Sequence, residues 1–598
     1  MRPLSVARTL DSPPTLMSRK QLSAFSSLAA IIQLASSLSS SNDLYKQLRK
    51  LPARTLWQDE VPKFNALSSA QREKSVAVIR AVGVRFKNAE DEVSKQTVLQ
   101  WLLELLEDPS EKIRRYAITA IPKVGGSGGL AETRLLSMYQ CSSIEREKQA
   151  IAEALSKIGG EATTLVAHPG SLLDDHRIRA RVARRQSPSA ILLDSRLPSG
   201  LRVHLRCRRG LEQIVADEVR ELSNKLGLSH VETLIGCVVV DTRRAMRLAD
   251  LFSLRCYDTL GFVLQPPAEA KWGMQRLARS HQEEAIAATI ASTKCEELMR
   301  TCTSGALRYR LHLDVSLALA ASTMLPVSPP RAVGKPRAPS TRAIKAMRER
   351  ISRASYALNP RILADGRQAV WIIEAFSHEP LVDGPQEGVQ APMVELQPRV
   401  TPNPRLAFQT ATFYAGAHPS LAACMARMAR PWQPEGVVWD PFCGTGLELI
   451  ESSLANPSVL RLVGTDIDAT ALNVARANVE SARYRGILSS SVADDFHECD
   501  FRKGPELVPE IAASRVSLII TNPPLGRRVK VANLHALFYD LFNVAARTLS
   551  PDGRMVFINP LRVQLPRDLR SKLMLEQRSS VDLKLRRDCS VEVYRRIR

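Results

Sequence analysis

The sequence of 598 residues contains no uninterrupted run of 18 apolar residues and no pair of cysteines at C-x-x-C spacing. The first absence argues against a membrane-spanning helix, which needs about 20 apolar residues. The second, with ten scattered cysteines, argues against a zinc site or a disulfide scaffold. We therefore expect an intracellular protein with reduced thiols and no metal, and a chain of this length should form about three to four domains.

Acidic residues are also scarce relative to basic ones. The chain has 61 Asp and Glu against 83 Lys and Arg, a formal net charge of +22. Such a surplus attracts polyanions, most often nucleic acid, although a solvated basic surface is the alternative. Residues 1–42 hold a single acid and eleven serines. This composition is typical of an organellar transit peptide or of a disordered tail, so we expect a cytoplasmic, mitochondrial or plastid protein.

Residues 43–165 have apolar residues at helix spacing and few strand signals. Two similar stretches, 113–126 and 147–160, lie 34 residues apart, which favours stacked helical pairs. The segment DPSEKIRRYAITAI resembles a HEAT-type repeat, and a plain helical bundle is the alternative. Either arrangement predicts a docking platform for a protein partner, followed by a basic linker over 166–199.

Strand and helix patterns alternate over 200–394 in a β-α-β-β-α order that suits a ferredoxin-like module. Its basic stretch, 331–353, holds eight Lys and Arg and one acid. Arg342, Lys345 and Arg348 are spaced three apart in its helical half and so lie near one helix face. Such a row of cations can contact RNA phosphates, or it can be an ordinary solvated surface.

The strongest chemical signal is VVWDPFCGTGLELIESSL, which begins at Val437. An apolar strand ends in Asp440, a small turn follows, and an apolar helix begins near Leu447. Glycine at 444 and 446 lets the backbone approach a ligand closely, and the amides of the turn and the helix start favour a carboxylate such as that of methionine. We predict a binding turn made of Asp440, Pro441, Cys443, Gly444, Thr445 and Gly446.

The next strand, LRLVGTDID, places Asp466 at its end, where a carboxylate can accept both hydroxyls of an adenosine ribose. Asp500, in the run ECDFRK, is a candidate for the adenine amino group, with Asp494 and Asp495 as rivals. These residues, at the carboxyl ends of strands in a Rossmann-like α/β sheet, predict S-adenosylmethionine as the ligand.

A third strand delivers Asn522, followed by Pro523, Pro524 and Leu525, to the same crevice. The Asn522 side-chain oxygen and the Pro523 carbonyl can accept the two N–H groups of an exocyclic base amine, and the prolines stiffen the turn. Accepting both hydrogens aims the nitrogen lone pair at a sulfonium methyl for in-line attack. Catalysis would then come from positioning and oriented dipoles.

Together these motifs resemble the class I methyltransferases with an NPPY-type motif and, more narrowly, the RNA methylase family with an N-terminal THUMP domain. The resemblance covers about 200–598 and is carried by RRGLEQIVADEVREL, HPSLAACMARMA, DPFCGTG, GTDID and TNPPLGRR. It implies a multidomain chain, in which a ferredoxin-like and THUMP region over 200–394 holds RNA and the methyltransferase domain occupies 395–598. By this resemblance the target is guanine N2, in tRNA or ribosomal RNA.

One position departs from the family pattern. The fourth motif residue is often aromatic and stacks on the flipped base, whereas Leu525 stands here. Arg527 and Arg528 would then position a phosphate or the base, unless they are only surface charge. Guanine N2 of tRNA is the first choice; ribosomal RNA guanine N2, adenine N6 of RNA or DNA, and a non-catalytic RNA-binding scaffold are the alternatives. A terminal antiparallel hairpin is expected within 581–598.

Overall fold

The computed structural model describes residues 41–88, 92–125, 129–159, 188–265, 279–314, 340–376, 392–410, 418–433, 436–512, 515–524, 531–560, 563–583 and 589–597. The chain divides into two compact units, 1–186 and 187–598. None of the helices in the described residues has the length and apolar character needed to cross a bilayer. Residues 1–40 of the predicted transit peptide and 166–187 of the predicted linker lie outside the described residues.

The first unit is helical in its described part, as predicted. Short π and 3-10 turns at Leu56–Glu60, Phe86–Asn88 and Leu105–Glu107 join several of its helices. The α-helices are α1 Ser41–Leu48, α2 Ala53–Thr55, α3 Val61–Asn65, α4 Ser69–Lys74, α5 Ala77–Arg85, α6 Glu92–Glu104, α7 Glu111–Val124, α8 Gly129–Cys141 and α9 Glu145–Ile158.

The two similar stretches of sequence form α7 and α9, which start and end 34 residues apart and pack against each other. Each helix ends at a glycine of positive φ, Gly125 at +122° and Gly159 at +90°. Glycine adopts such backbone angles without the steric cost of a Cβ, so it terminates both helices. Arg114 of α7 pairs with buried Glu147 of α9 at 2.7 Å.

The second unit contains α-helices and four sheets. Its helices are α10 Glu212–Leu226, α11 Leu248–Leu251, α12 Arg279–Ala291, α13 Thr293–Thr301, α14 Thr341–Leu358, α15 Pro419–Met428, α16 Leu447–Ala455, α17 Ala469–Tyr484, α18 Gly504–Leu507 and α19 Leu534–Thr548. Its strands are β1 Ala190–Ile191, β2 Arg196–Leu197, β3 Arg202–Arg206, β4 Leu228–Leu234, β5 Cys237–Thr242, β6 Met246–Arg247, β7 Thr259–Leu264, β8 Thr303–Ser304, β9 Leu307–Leu313, β10 Ile362–Ala364, β11 Trp371–Phe376, β12 Met393–Pro398, β13 Val437–Asp440, β14 Arg461–Asp466, β15 Ala493–Glu498, β16 Val516–Thr521, β17 Leu549–Asn559, β18 Leu573–Val581 and β19 Cys589–Arg596.

An eight-stranded sheet has the order β10-β9-β11-β12-β7-β3-β5-β4. Within it, β3, α10, β4, β5, α11 and β7 have the β-α-β-β-α-β order of a ferredoxin-like module. The second helix of this order, α11, has only four residues, because the short strand β6, which belongs to another sheet, takes up the residues just before it. The sheet continues through β12 to Pro398.

One local expectation needs correction, and one helical region is interrupted. Residues 279–301 form two helices, because Ser292 caps the second one by accepting the backbone N–H of Cys295. The terminal hairpin exists, but its first strand is β18, which ends at Val581, where the sequence pattern had placed the start of that strand. Alternating polarity continues beyond Val581, and this is why the pattern misplaced the strand.

A seven-stranded sheet has the order β15-β14-β13-β16-β17-β19-β18. Its first five strands are parallel, and β19 runs antiparallel between β17 and β18. Helices connect the parallel strands, so this is a Rossmann-like α/β fold, as predicted. The strand order reverses between β13 and β16, which creates a crevice at their carboxyl ends.

The two large sheets share one continuous hydrophobic core. Arg255, which follows α11, makes a double hydrogen-bonded ion pair with Glu451 of α16, at 2.7 Å for both contacts. It also donates to the carbonyl of Arg405 at 2.8 Å. Gly210, before α10, lies so close to β18 that a Cβ would stand 1.6 Å from the Ser580 carbonyl oxygen. These two contacts are among those that hold the seven-stranded sheet against the eight-stranded one.

Candidate active site at the carboxyl ends of three strands

Three predicted site residues lie at the ends of three adjacent strands. Asp440 ends β13 and is paired with Gly464 of β14, so that Asp466 ends β14 two residues further on. On the other side of β13, β16 ends at Thr521 and Asn522 follows it directly. Since the strands are parallel, all three residues belong to the same edge of the sheet.

The turn after β13 is held by backbone hydrogen bonds, one to strand β14 and one within the turn itself. The Cys443 N–H donates to the Thr465 carbonyl at 3.0 Å, and the Gly446 N–H donates to the Cys443 carbonyl at 2.7 Å. Gly444 and Gly446 have φ of +49° and +73°, which explains the need for glycine at both. A Cβ on Gly444 would have no atom closer than 4.0 Å, so the described residues leave room beside this backbone. The turn therefore leaves room for a ligand beside its backbone at Gly444.

Asp466 is half-buried, and its carboxylate holds the turn as well as the next helix. Oδ2 accepts the Gly444 N–H and Oδ1 accepts the Asp468 N–H, both at 3.0 Å. Its neighbour Ile467 is exposed at 73%. A carboxylate fixed by two backbone amides beside open space is suited to accept further hydrogen bonds from a ligand.

The three acidic candidates for the adenine contact occupy different places. Asp494 and Asp495 lie near the start of β15 and pair with Arg483 and Arg461, the latter at 2.8 Å. Asp500 comes two residues after β15 ends, at the same edge as Asp466. It pairs with Arg502 at 2.9 Å. Of the three, only Asp500 lies at the edge where the other site residues meet.

Asp440 is fully buried and is held from two sides. Its Oδ1 accepts the Thr521 hydroxyl at 2.6 Å and the Phe442 N–H at 3.0 Å, while its Oδ2 has no hydrogen-bond partner among the described residues. Burial, and then the nearby Glu448 carboxylate, raise the pKa of Asp440 well above its usual range. Burial also raises the pKa of Glu448 from 4.5 to about 7. Two acids that resist ionisation therefore lie behind the turn.

Asn522 brings an unsatisfied acceptor to this edge. Its side-chain Oδ1 is buried, and no hydrogen-bond donor for it occurs in the part of the chain that the structure describes. Pro523 is buried and Pro524 half-buried, as expected for a stiff turn. A buried acceptor without a donor costs free energy, which a ligand N–H group would recover. Leu525, Arg527 and Arg528 lie outside the described residues.

The remaining turn residues are also buried. Pro441, Cys443 and Thr445 have little exposed surface, and burial raises the pKa of the Cys443 thiol well above its usual range. Their side chains therefore pack inside the protein, and a ligand would contact the turn mainly through its backbone.

Three of the five predicted RNA contacts lie on helix α14, which packs on the eight-stranded sheet. Arg342 and Lys345 are exposed on α14, and Arg348 is half-buried on the same helix. This helix packs on α12 and on strands β9 and β10 of the eight-stranded sheet. Arg350 of the helix pairs with Glu283 of α12 at 2.6 Å. The structure does not bring these cations to the strand-end site.

Comparison with known proteins agrees with this geometry. Residues 409–588 match the family described as "UPF0020: RMKL-like, methyltransferase domain". The chain is 29% identical over 152 residues to the tRNA (guanine(10)-N2)-dimethyltransferase of Methanocaldococcus jannaschii, which is 25% of this chain and 40% of that protein. It is 27% identical over 172 residues to the protein of the same name from Methanothermobacter thermautotrophicus, covering 28% and 46%.

The chain thus spans less than half the length of either archaeal relative. Among solved structures, TrmN from Thermus thermophilus aligns with 66% of this chain and 100% of its own, at 20% identity and a TM-score of 0.46. Residues 409–588, which include six of the seven strands of the seven-stranded sheet, are similar in sequence to a methyltransferase domain.

Proposed function

We propose that this chain is an S-adenosylmethionine-dependent methyltransferase that modifies the exocyclic N2 amine of guanine in tRNA. The observation that carries the proposal is the buried Asn522 Oδ1, which lacks a donor among the described residues and follows a strand adjacent to the Asp440 turn. The names of the archaeal relatives support the choice of tRNA and of guanine N2.

For the cofactor, we propose that the turn from Asp440 to Gly446 receives the amino-acid end. Asp466 would accept the ribose hydroxyls, and Asp500 would accept from the adenine amine after exchanging part of its contact with Arg502. Bound S-adenosylmethionine supplies an electrophilic methyl group on a sulfonium. The open space beside Gly444 and the two fixed oxygens of Asp466 support this arrangement.

For the reaction, Asn522 Oδ1 and the Pro523 carbonyl would accept the two N–H groups of the target amine. This orients the nitrogen lone pair for in-line attack, because the amine of guanine is a poor nucleophile while that pair is delocalised into the ring. The nitrogen would gain the methyl group that the sulfonium supplies and would release one proton to solvent. Positioning and fixed dipoles would account for the rate.

For the rest of the chain, we propose HEAT-like repeats over 43–165 that dock a protein partner, a basic linker over 166–199 and a THUMP-containing RNA-binding region over 200–394. The methyltransferase domain would occupy 395–598, and Arg342, Lys345 and Arg348, with Arg527 and Arg528, would contact RNA. We further propose that the protein acts in the cytoplasm or, if residues 1–42 are a transit peptide, in a mitochondrion or plastid.

The test is incubation of the full chain with methyl-labelled S-adenosylmethionine and, separately, total tRNA, ribosomal RNA or DNA, followed by nucleoside analysis. Label in N2-methylguanosine or N2,N2-dimethylguanosine from tRNA is expected. Label in N6-methyladenosine would overturn the guanine assignment, and label only from ribosomal RNA would overturn the choice of tRNA. Absence of cofactor binding by calorimetry would identify the chain as a scaffold.

A further inference from the structure

Asn478 of α17 connects the turn after β13 to the segment that leads into the seven-stranded sheet. The residue is 1% exposed. Its Oδ1 accepts both the backbone N–H of Thr410, at 2.9 Å, and the Thr410 hydroxyl, at 3.1 Å. Its Nδ2 donates to the carbonyl of Thr445 at 3.0 Å. One buried side chain therefore links three separate segments.

These contacts use both ends of the amide. The oxygen accepts two hydrogen bonds and the nitrogen donates one, a combination that neither a carboxylate nor an apolar side chain can provide. One helical turn earlier, Ala475 backs the same turn, because a Cβ on Gly446 would lie 3.3 Å from the Ala475 Cβ. Helix α17 thus supports the two residues that flank the Thr445–Gly446 peptide bond. It packs against Gly446 and donates a hydrogen bond to the carbonyl of Thr445.

The peptide between Thr445 and Gly446 lies in the part of the turn where glycine allows the widest range of backbone angles. Thr445 stands between two glycines of positive φ, Gly444 and Gly446. Asp466 fixes the N–H of Gly444 on one side of it, and Asn478 fixes the carbonyl of Thr445 on the other. Since glycine-rich backbone has many accessible conformations, such anchors determine whether the turn is preorganised.

We infer that Asn478 is a positioning residue for cofactor binding, with Thr410 as its anchor. This inference depends on the proposed function in that the turn is taken to bind S-adenosylmethionine. Without the Asn478 amide, the Thr445 carbonyl and the Thr410 donors lose their buried partner, and the turn must be ordered when the ligand arrives. The cost then appears in cofactor affinity, whereas RNA affinity is unaffected.

The experiment is calorimetric titration of S-adenosylmethionine and S-adenosylhomocysteine into the full chain. Asn478→Ala and Asn478→Asp should each weaken binding by about tenfold or more, the effect of losing about 1.4 kcal/mol. Thr410→Val, which keeps the backbone donor, should weaken it less, and Thr410→Ser should bind like the wild type. In steady-state assays the KM for the cofactor should rise while the KM for RNA stays constant.

Asn456→Ala is the matched control. Asn456 is also buried, and its Oδ1 accepts the Ser458 N–H at 3.1 Å, but it caps the far end of α16. The Asn456→Ala protein should have a lower Tm than the wild type and an unchanged cofactor affinity.

Asn478 variants that have a lower Tm yet bind the cofactor like the wild type would overturn the inference. If Asn478 variants do not fold, wild-type affinity in Thr410→Val would overturn it instead. A wild-type chain that binds neither ligand would refute the proposed function itself.

Discussion

Thr521 donates its hydroxyl to Oδ1 of Asp440 over 2.6 Å, and this bond joins the ends of β16 and β13. These are the two strands between which the strand order reverses. Both residues are fully buried. The bond therefore holds together the two sides of the crevice, with Asn522 on one side and the glycine turn on the other.

Thr521→Val should lower the free energy of unfolding by about 0.5–1.5 kcal/mol, because Oδ1 of Asp440 loses its hydroxyl donor and keeps only the Phe442 N–H. Thr521→Ser keeps the hydroxyl and should lose much less. Urea denaturation of the three proteins measures the difference. A loss in Thr521→Ser with none in Thr521→Val would show that the methyl group, rather than the hydrogen bond, stabilises the crevice.

Asn522→Ala should reduce methyl transfer by about two orders of magnitude or more, because it removes an oriented acceptor needed only when the amine reacts. The Kd for the cofactor, measured by calorimetry, should remain within a factor of about two of the wild-type value. This change is far smaller than the one expected in the rate of methyl transfer. A parallel loss of cofactor binding would mean that the residue holds the fold of the turn.

Glu448→Gln should stabilise the protein at pH 8 and have no effect at acidic pH. The pKa of Glu448 is raised from 4.5 to about 7 in the folded protein, so the unfolded chain ionises first as pH rises. The free energy of unfolding of the wild type therefore falls between pH 4.5 and about 7, by an amount of the order of 3 kcal/mol. Glutamine removes that loss.

Thermal melts of wild type and Glu448→Gln across pH 4.5 to 8 check the effect. Glu480→Gln, an exposed change on α17, is the control and should follow the wild-type curve at every pH. Melting curves for Glu448→Gln that run parallel to the wild type over the whole range would contradict the prediction.

Reversing two charges on α14, with Arg342→Glu and Lys345→Glu together, should weaken tRNA binding and make it less sensitive to salt. Each lost phosphate contact lowers the slope of log affinity against log salt by about 0.7–0.9. Fluorescence titrations of tRNA at several salt concentrations measure this slope. An unchanged slope would place the RNA contacts elsewhere, and an unchanged S-adenosylmethionine affinity would show that the folded state is intact.

The predictable parts of the site are those that the chain specifies locally. Asp440, Gly444, Gly446 and Leu447 lie within eight consecutive residues, and the strand, turn and helix form as their order predicts. Asn522 could be assigned to a strand end because an apolar run precedes it and prolines follow. In these segments, side-chain pattern and backbone preference favour the same structure.

The site residues that the sequence does not predict depend on contacts between segments that are distant in the chain. Thr521 and Asn478 have no local signal, since a threonine in a strand or an asparagine in a helix is ordinary until its partner is known. Glu448 gives a weak local signal, because it is a charged residue within the otherwise apolar run LELI. Likewise, Asp500 could be separated from Asp494 and Asp495 only once the start and end of β15 were known.

The Arg255–Glu451 pair has a practical consequence for dissecting the molecule. Glu451 is 1% exposed and its counter-charge comes from a segment almost 200 residues earlier in the chain. A fragment cut just before α15 would carry an uncompensated buried acid and an uncovered apolar helix, a combination that promotes aggregation. A shortened or fused version of this protein should therefore contain the eight-stranded sheet as well as the seven-stranded one. We expect the two sheets to fold as one unit.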